Sequence, residues 1–185
     1  MKKVHTSAVV IIPPESVWNP IQNIRKKYDR QIRRWMPHIN LMYPFVPRSK
    51  FDDITPRFKS KCQKLKHFEI TLKKVNYFHH RRQNYTLWLD PEPKNRILNL
   101  YKTFVDILPQ FNDLDRFKGG YTPHLSIGQL RGKGRFKKVF SQIQRKWKPL
   151  NFKLEEIYFI NRKQQQNSRF MVIKTIPLGL PHDLK

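Results

Sequence analysis

The sequence predicts an α+β fold built as two lobes related by a pseudo-twofold axis. Three observations predict it. Segments with period-two alternation are interleaved with segments of helical spacing along the chain. One short motif occurs twice, as Pro37-His38-Ile39-Asn40-Leu41 and Pro123-His124-Leu125-Ser126-Ile127. The elements after each copy run in the same order: strand, helix, then a strand pair around a polar turn. That order is an internal repeat. Two copies of one unit can pack about a twofold axis, which puts the two histidines across a shared cleft.

Residues 4–12, rich in Val and Ile, read as a buried first strand rather than a signal peptide, because the apolar run is short and Pro13-Pro14-Glu15 is a poor cleavage site. Trp18, Ile21, Ile24 and Tyr28 recur at helical spacing, with Gln22, Arg25 and Lys26 on the wet side. Pro20 is acceptable only in a first turn, so this helix starts between Ser16 and Asn19. The first histidine strand covers 36–43, and Pro44 and Pro47 end its pairing. A second helix falls within 51–65, with Pro56 near its start or at a break. Strands at 67–78 and 84–90 flank the turn His79-His80-Arg81-Arg82-Gln83. A helix over 94–108 carries Ile97, Leu100, Tyr101, Phe104 and Leu108 as its apolar stripe, and Pro109 stops it. After Gly119-Gly120 come the second histidine strand at 123–130, a helix at 135–147, and strands at 151–162 and 168–176.

The 185 residues suit one domain, or two small lobes sharing a core. Thirteen Phe, seven Tyr and four Trp argue against disorder. The longest apolar runs are too short for a membrane span. A single cysteine, Cys62, excludes an internal disulfide and a cysteine metal cage, and fits an intracellular, reducing compartment. Thirty-eight Lys and Arg against thirteen acids give a formal charge of +25. Such a surface attracts polyanions, RNA or DNA first among them, or belongs to a ribonucleoprotein component or an anionic-membrane binder. The charge is spread through the fold, as at Arg25-Lys26-Lys27, Arg33-Arg34 and Lys137-Lys138, and not gathered in a tail.

In each motif copy the histidine shares one strand face with a small hydrogen-bonding side chain, His38 with Asn40 and His124 with Ser126, opposite the apolar Ile39, Leu41, Leu125 and Ile127. Two imidazoles facing one another can serve as general base and general acid, because imidazole titrates near neutrality. Neither role is assigned to either ring. Tyr43 and Tyr121 flank the motifs and either stack on a base or pack in the core. Thr122 is expected to support the second motif strand. Arg25, Arg33 and Arg34 either gather phosphates or line a solvated helix face. His79 and His80 read as a solvated turn, and His5, His67 and His182 carry no signal.

With its two copies 86 residues apart, the chain resembles the 2H phosphoesterase superfamily, the LigT-like group that includes 2′,3′-cyclic phosphodiesterases, 2′-5′ RNA ligases and the central domain of A-kinase-anchoring proteins. Arg34-Trp35-Met36-Pro37, Tyr43-Pro44-Phe45 and Tyr121-Thr122-Pro123 carry the same likeness, which runs from Ala8 to Val172. The resemblance implies lobes that are each an antiparallel sheet with helices on the outer face, and an active cleft between them. It implies metal-independent chemistry, without a cofactor, at a 2′,3′-cyclic phosphate or a 2′-5′ phosphodiester. His38 and His124 would be catalytic, and Asn40 and Ser126 would hold phosphate oxygens. RNA or a nucleotide is the expected partner of a monomer. Asn40 departs from the Thr or Ser that the family places there. With the +25 charge, that departure keeps a second expectation open, a non-catalytic RNA- or nucleotide-binding module of the same fold.

Overall fold

The computed structural model describes residues 1–116 and 119–179; Phe117, Lys118 and residues 180–185, His182 among them, lie outside the described residues. In chain order the elements are β1 (Ser7–Ile11), α1 (Trp18–Tyr28), β2 (Ile39–Met42), α2 (Phe51–Cys62), β3 (Phe68–His80), β4 (Asn84–Glu92), α3 (Lys94–Ile107), β5 (Leu125–Arg131), α4 (Lys133–Lys146), β6 (Leu150–Leu154), β7 (Glu156–Asn161) and β8 (Met171–Pro177). The strands form one curled sheet in the order β6-β3-β4-β5-β2-β1-β7-β8, antiparallel at every step.

The α+β fold is the expected one, and the two expected sheets are its halves. β6-β3-β4-β5 and β2-β1-β7-β8 join where β5 meets β2, in register at the single pair Ile39 and Leu125. The histidine strands are therefore the two inner strands of the whole sheet. β1-α1-β2 and β4-α3-β5 are equivalent units, each an antiparallel pair linked through a helix. The helices are exchanged: α1 packs on β5 and α3 on β2. This spatial repeat starts one strand before each histidine, whereas the sequence pattern starts at the histidine. The reason is Glu155, which lies between strands and divides the single strand expected at 151–162. Its first part, β6, pairs with β3, and its second, β7, pairs with β1.

Other boundaries move for local reasons. β3 extends through His79 and His80, which pair with Tyr85 and Asn84, so the turn shrinks to Arg81–Gln83. Arg82 and Gln83 take positive φ there, which is how so tight a reversal closes. α2 runs through Pro56, which lies inside it, neither at its start nor at a break.

β1 reads as a continuous apolar run because both of its faces are covered. Val9 and Ile11 enter the main core, while Ala8 and Val10 join a smaller cluster with Ile160 and Phe170. Trp35, Met36 and Tyr43 pack against that smaller cluster, and this brings it beside the first histidine. α1 comes so close to β5 that a Cβ at Gly128 would lie 2.6 Å from the Tyr28 Cβ. Only glycine permits that approach.

Candidate active site

His38 and His124 each stand immediately before an inner strand. With Ile39 opposite Leu125 in an antiparallel pair, the register places His38 opposite Ser126 and Asn40 opposite His124. Alternation puts all four on one face. Ile39, Leu41, Leu125 and Ile127 are fully buried on the other, while the four polar residues are half-buried. The histidines are thus diagonal neighbours across the seam, where α-carbons lie about 7–8 Å apart. A positive charge on His124 acts on His38, as that proximity requires.

The Pro-His dipeptide has a local structural meaning. His38 Nδ1 lies 2.8 Å from the carbonyl oxygen of Met36, and His124 Nδ1 lies 2.7 Å from that of Thr122. In both copies the acceptor is the residue before the proline. A neutral ring that donates from Nδ1 leaves Nε2 as its unprotonated nitrogen. Both copies therefore present the same ring nitrogen, fixed by the same three-residue turn.

The surroundings of the two rings differ. His38 stacks on Trp35 with centroids 4.4 Å apart and planes inclined by 14°, and Trp35 stacks in turn on Phe170 at 3.7 Å. Behind it lies Arg25, 1% exposed, whose Nε donates to Asp29 at 2.7 Å and whose Nη2 donates to the carbonyl of Trp35 at 2.8 Å. Gln129 of β5 donates to the same Asp29 at 3.2 Å, which ties this ion pair to the second histidine strand. His124 instead meets Phe78 and Trp88 edge-on, at 5.0 and 6.0 Å. It opens onto a cavity of about 430 Å³ lined also by Phe78, His79, His80, Thr86 and Tyr121.

Burial lowers the pKa of both imidazoles, since desolvation disfavours the charged ring. His38 falls to about 4; burial is the main cause, and the positive charges of Arg25 and His124 add to it. Among the described residues no cation of that kind acts on His124, and burial is what lowers it.

The Asn40 Oδ1 is buried without a hydrogen-bond partner among the described residues. Tyr121 is buried, its ring tilted against Tyr101, and its hydroxyl donates to the main-chain carbonyl of Asn40, across the seam. Tyr43 is half-buried, edge-on to Trp35 at 5.4 Å, and donates to the carbonyl of His5. Thr122 supplies the carbonyl that orients His124. Arg25 is not on the wet side of α1: it is a buried partner of Asp29, and the apolar periodicity alone gave no hint of that burial. His79 stacks on Tyr85 and the His80 Nε2 meets the Thr86 hydroxyl at 3.0 Å, both from a strand. His67 Nε2 bonds the carbonyl of Leu178.

Sequence reasoning passed over Phe78, Trp88, Asp29, Gln129, Arg162 and Phe170. The exception in legibility is Trp35, which stood in the first motif's flank. Asp29 stands four residues after Arg25, a local helical spacing that could have announced the pair; the others are brought in by tertiary packing.

The family model for the 2′-5′ RNA ligase superfamily matches residues 13–166. SH1944 of Staphylococcus haemolyticus (strain JCSC1435), provisionally named a phosphoesterase, is 23% identical over 179 residues, covering 92% of this chain and 98% of that one. TT0787 of Thermus thermophilus superposes with a TM-score of 0.65 at 14% identity, over 96% of this chain and all of the other. E. coli LigT in apo form gives 0.59 at 13% identity over 97% of this chain and all of its own, and it has also been crystallised with 3′-AMP. At these identities the structural likeness is one of fold. The family match spans most of the chain and both histidine motifs, and this protein belongs to the 2′-5′ RNA ligase superfamily of 2H phosphoesterases.

Proposed function

We propose that the protein is a metal-independent RNA phosphoesterase, acting on a 2′,3′-cyclic phosphate end or a 2′-5′ phosphodiester by paired-histidine acid–base catalysis. The observation that carries the reading is the pair of imidazoles on facing strands, each anchored through Nδ1 so that Nε2 is left for the substrate. LigT's binding of 3′-AMP supports a nucleotide as the occupant of such a cleft. The reading takes the chain as one unit, acting as a monomer in an intracellular setting.

In-line displacement at phosphorus needs a proton removed on one side and supplied on the other. For a cyclic phosphate, His38 Nε2 takes a proton from the attacking water as the new P–O bond forms. The opposite P–O bond breaks, and protonated His124 gives its proton to the departing ribose oxygen, leaving a phosphomonoester. His38 suits the base role because burial and Arg25 keep it neutral. His124 suits the acid role because no described residue sets such a cation against it and an anionic phosphate beside it favours its protonated form. The Asn40 amide and the Ser126 hydroxyl hold the non-bridging oxygens, where developing charge is stabilised most. Each proton transfer is typically worth about 10²–10⁴ in rate.

One observation favours a second reading. Asn40 replaces the usual hydroxyl residue and its Oδ1 is buried without a partner among the described residues; an acceptor aimed at phosphate oxygens would repel them. With +25 of charge, the chain then acts as an RNA- or nucleotide-binding module, free or in a ribonucleoprotein. The deciding assay offers an RNA ending in a 2′,3′-cyclic phosphate to the wild type and to His124→Ala, without added metal. Ring opening by the wild type alone is the expected result. Tight RNA binding without turnover supports the module instead. Equal turnover by both proteins removes His124 from the mechanism.

A further inference from the structure

The α1–β2 and β7–β8 loops meet at the His38 end of the cleft, around a cavity of about 380 Å³ walled by Arg30, Arg33, Arg34 and Arg169, with Gln166 and Ser168 among them. The two loops are joined: the Phe170 N–H donates to the carbonyl of Arg34 at 2.9 Å, and Arg34 Nη2 donates to the carbonyl of Gln166 at 3.3 Å. None of the four arginines enters an ion pair among the described residues. The acid nearest in sequence, Asp29, is taken up by Arg25, the Gln31 N–H and Gln129. Four arginines lining one cavity without a carboxylate among the described residues repel one another, and an anion relieves that repulsion.

A second observation links this cavity to the cleft. Arg162 lies over the Phe170 ring at 5.6 Å, and its Nε is buried with no hydrogen-bond partner. Buried donors are normally satisfied, and this one has no partner among the described residues, while Nη1 of the same group donates to the carbonyl of Lys163. The charges of Arg162 and Arg34 both act on Tyr43. From His38 the path runs across Trp35 to Phe170, whose chain neighbour Arg169 is already in the cavity wall.

We infer that this arginine cavity binds an internucleotide phosphate of an RNA strand whose reactive end lies between the histidines. The inference rests on the RNA reading of the cleft and narrows it: the substrate is a polynucleotide and not a mononucleotide. A mononucleotide with its phosphate at the histidines has nothing left to place among the arginines, whereas a strand crossing the Trp35–Phe170 stack delivers its next phosphates there. Arginine suits the task, since its planar fork grips phosphate in two bonds.

The test reads binding rather than turnover. A fluorescent single-stranded RNA with a 3′-phosphate end is titrated with the wild type and with Arg33→Gln/Arg169→Gln, both exposed positions, across a range of KCl. Affinity at low salt should fall about tenfold or more, and the slope of log K against log salt should become shallower by about 0.7 for each phosphate no longer neutralised. Lys137→Gln/Lys138→Gln, on the exposed face of α4, is the control for diffuse charge. An unchanged slope in the arginine variant, or an equal change in the lysine variant, overturns the inference. So does inorganic phosphate that displaces the RNA at stoichiometric concentration, which would mark a free-anion site. Cavity-dependent binding without ring opening sinks the catalytic reading alone; ring opening with cavity-independent binding sinks this inference alone.

Discussion

The two histidines occupy equivalent places in the fold and unequal surroundings. His38 is clamped: Trp35 covers one face, Phe170 backs Trp35, and a buried Arg25–Asp29 pair holds the main chain leading to it. His124 has the same anchor through Nδ1 but only edge contacts, and it faces a cavity of about 430 Å³. Duplication supplies two identical proton carriers. The packing then makes them different, and reactions that need a base and an acid at once require that difference.

The largest expected effect breaks the clamp. Arg25→Ala leaves the Asp29 carboxylate buried without its cation, and removing one member of a buried pair costs about 3–5 kcal/mol. Urea denaturation should show a loss of that order, together with a weakened His38 anchor. A loss under about 1 kcal/mol would show that Gln129 and the Gln31 N–H alone can hold Asp29.

A second experiment sharpens the comparison by titration. The imidazole resonances of the free protein should show His38 neutral down to about pH 4 and His124 titrating below the ordinary 6.5. Both folded values lie below those of the unfolded chain. The unfolded chain therefore binds more protons as pH falls below 6.5, and stability is lost progressively between there and about pH 4. In turnover, kcat/KM should rise as His38 loses its proton and fall as His124 loses its own, an arc centred on the acid side of neutrality. Trp35→Leu, which opens the covered face of His38, should move the acid limb upward. A rate that keeps rising above about pH 9 would contradict the paired-imidazole scheme.

The smallest expected effect concerns the second member of the first motif. Asn40→Thr supplies a hydroxyl where Ser126 already has one in the other copy. It should raise turnover by up to about tenfold, the worth of one hydrogen bond of ~1 kcal/mol or slightly more. A fall in rate would mean that the amide, with its free Oδ1, takes a substrate hydroxyl that threonine cannot reach.

Much of this was legible because the signals are local. Alternation along 38–41 and 124–127 gave the shared face, and the repeated Pro-His brought the two histidines together, though not the direct pairing of their strands. The turn from the residue before proline to the ring nitrogen explains why the dipeptide is informative at all. What stayed hidden is long-range. Arg25 sits at a polar position of an amphipathic helix and is nonetheless buried, because Asp29 and the Trp35 carbonyl neutralise and satisfy it. Phe170 and Gln129 come from segments far along the chain. The division at Glu155 depends on two partner strands, β3 and β1, which no periodicity within 150–161 distinguishes.

A single registered pair, Ile39 with Leu125, joins the halves of the sheet, and the Tyr121 hydroxyl bond to the Asn40 carbonyl crosses at the same level. Fewer rungs cross here than at any other step of the sheet. The halves are held together instead by what crosses above the ladder: α1 packed on β5, α3 packed on β2, and the Gln129–Asp29 bond. The span between the two rings is therefore set by the exchanged helices and a few side-chain bonds more than by the sheet's own ladder.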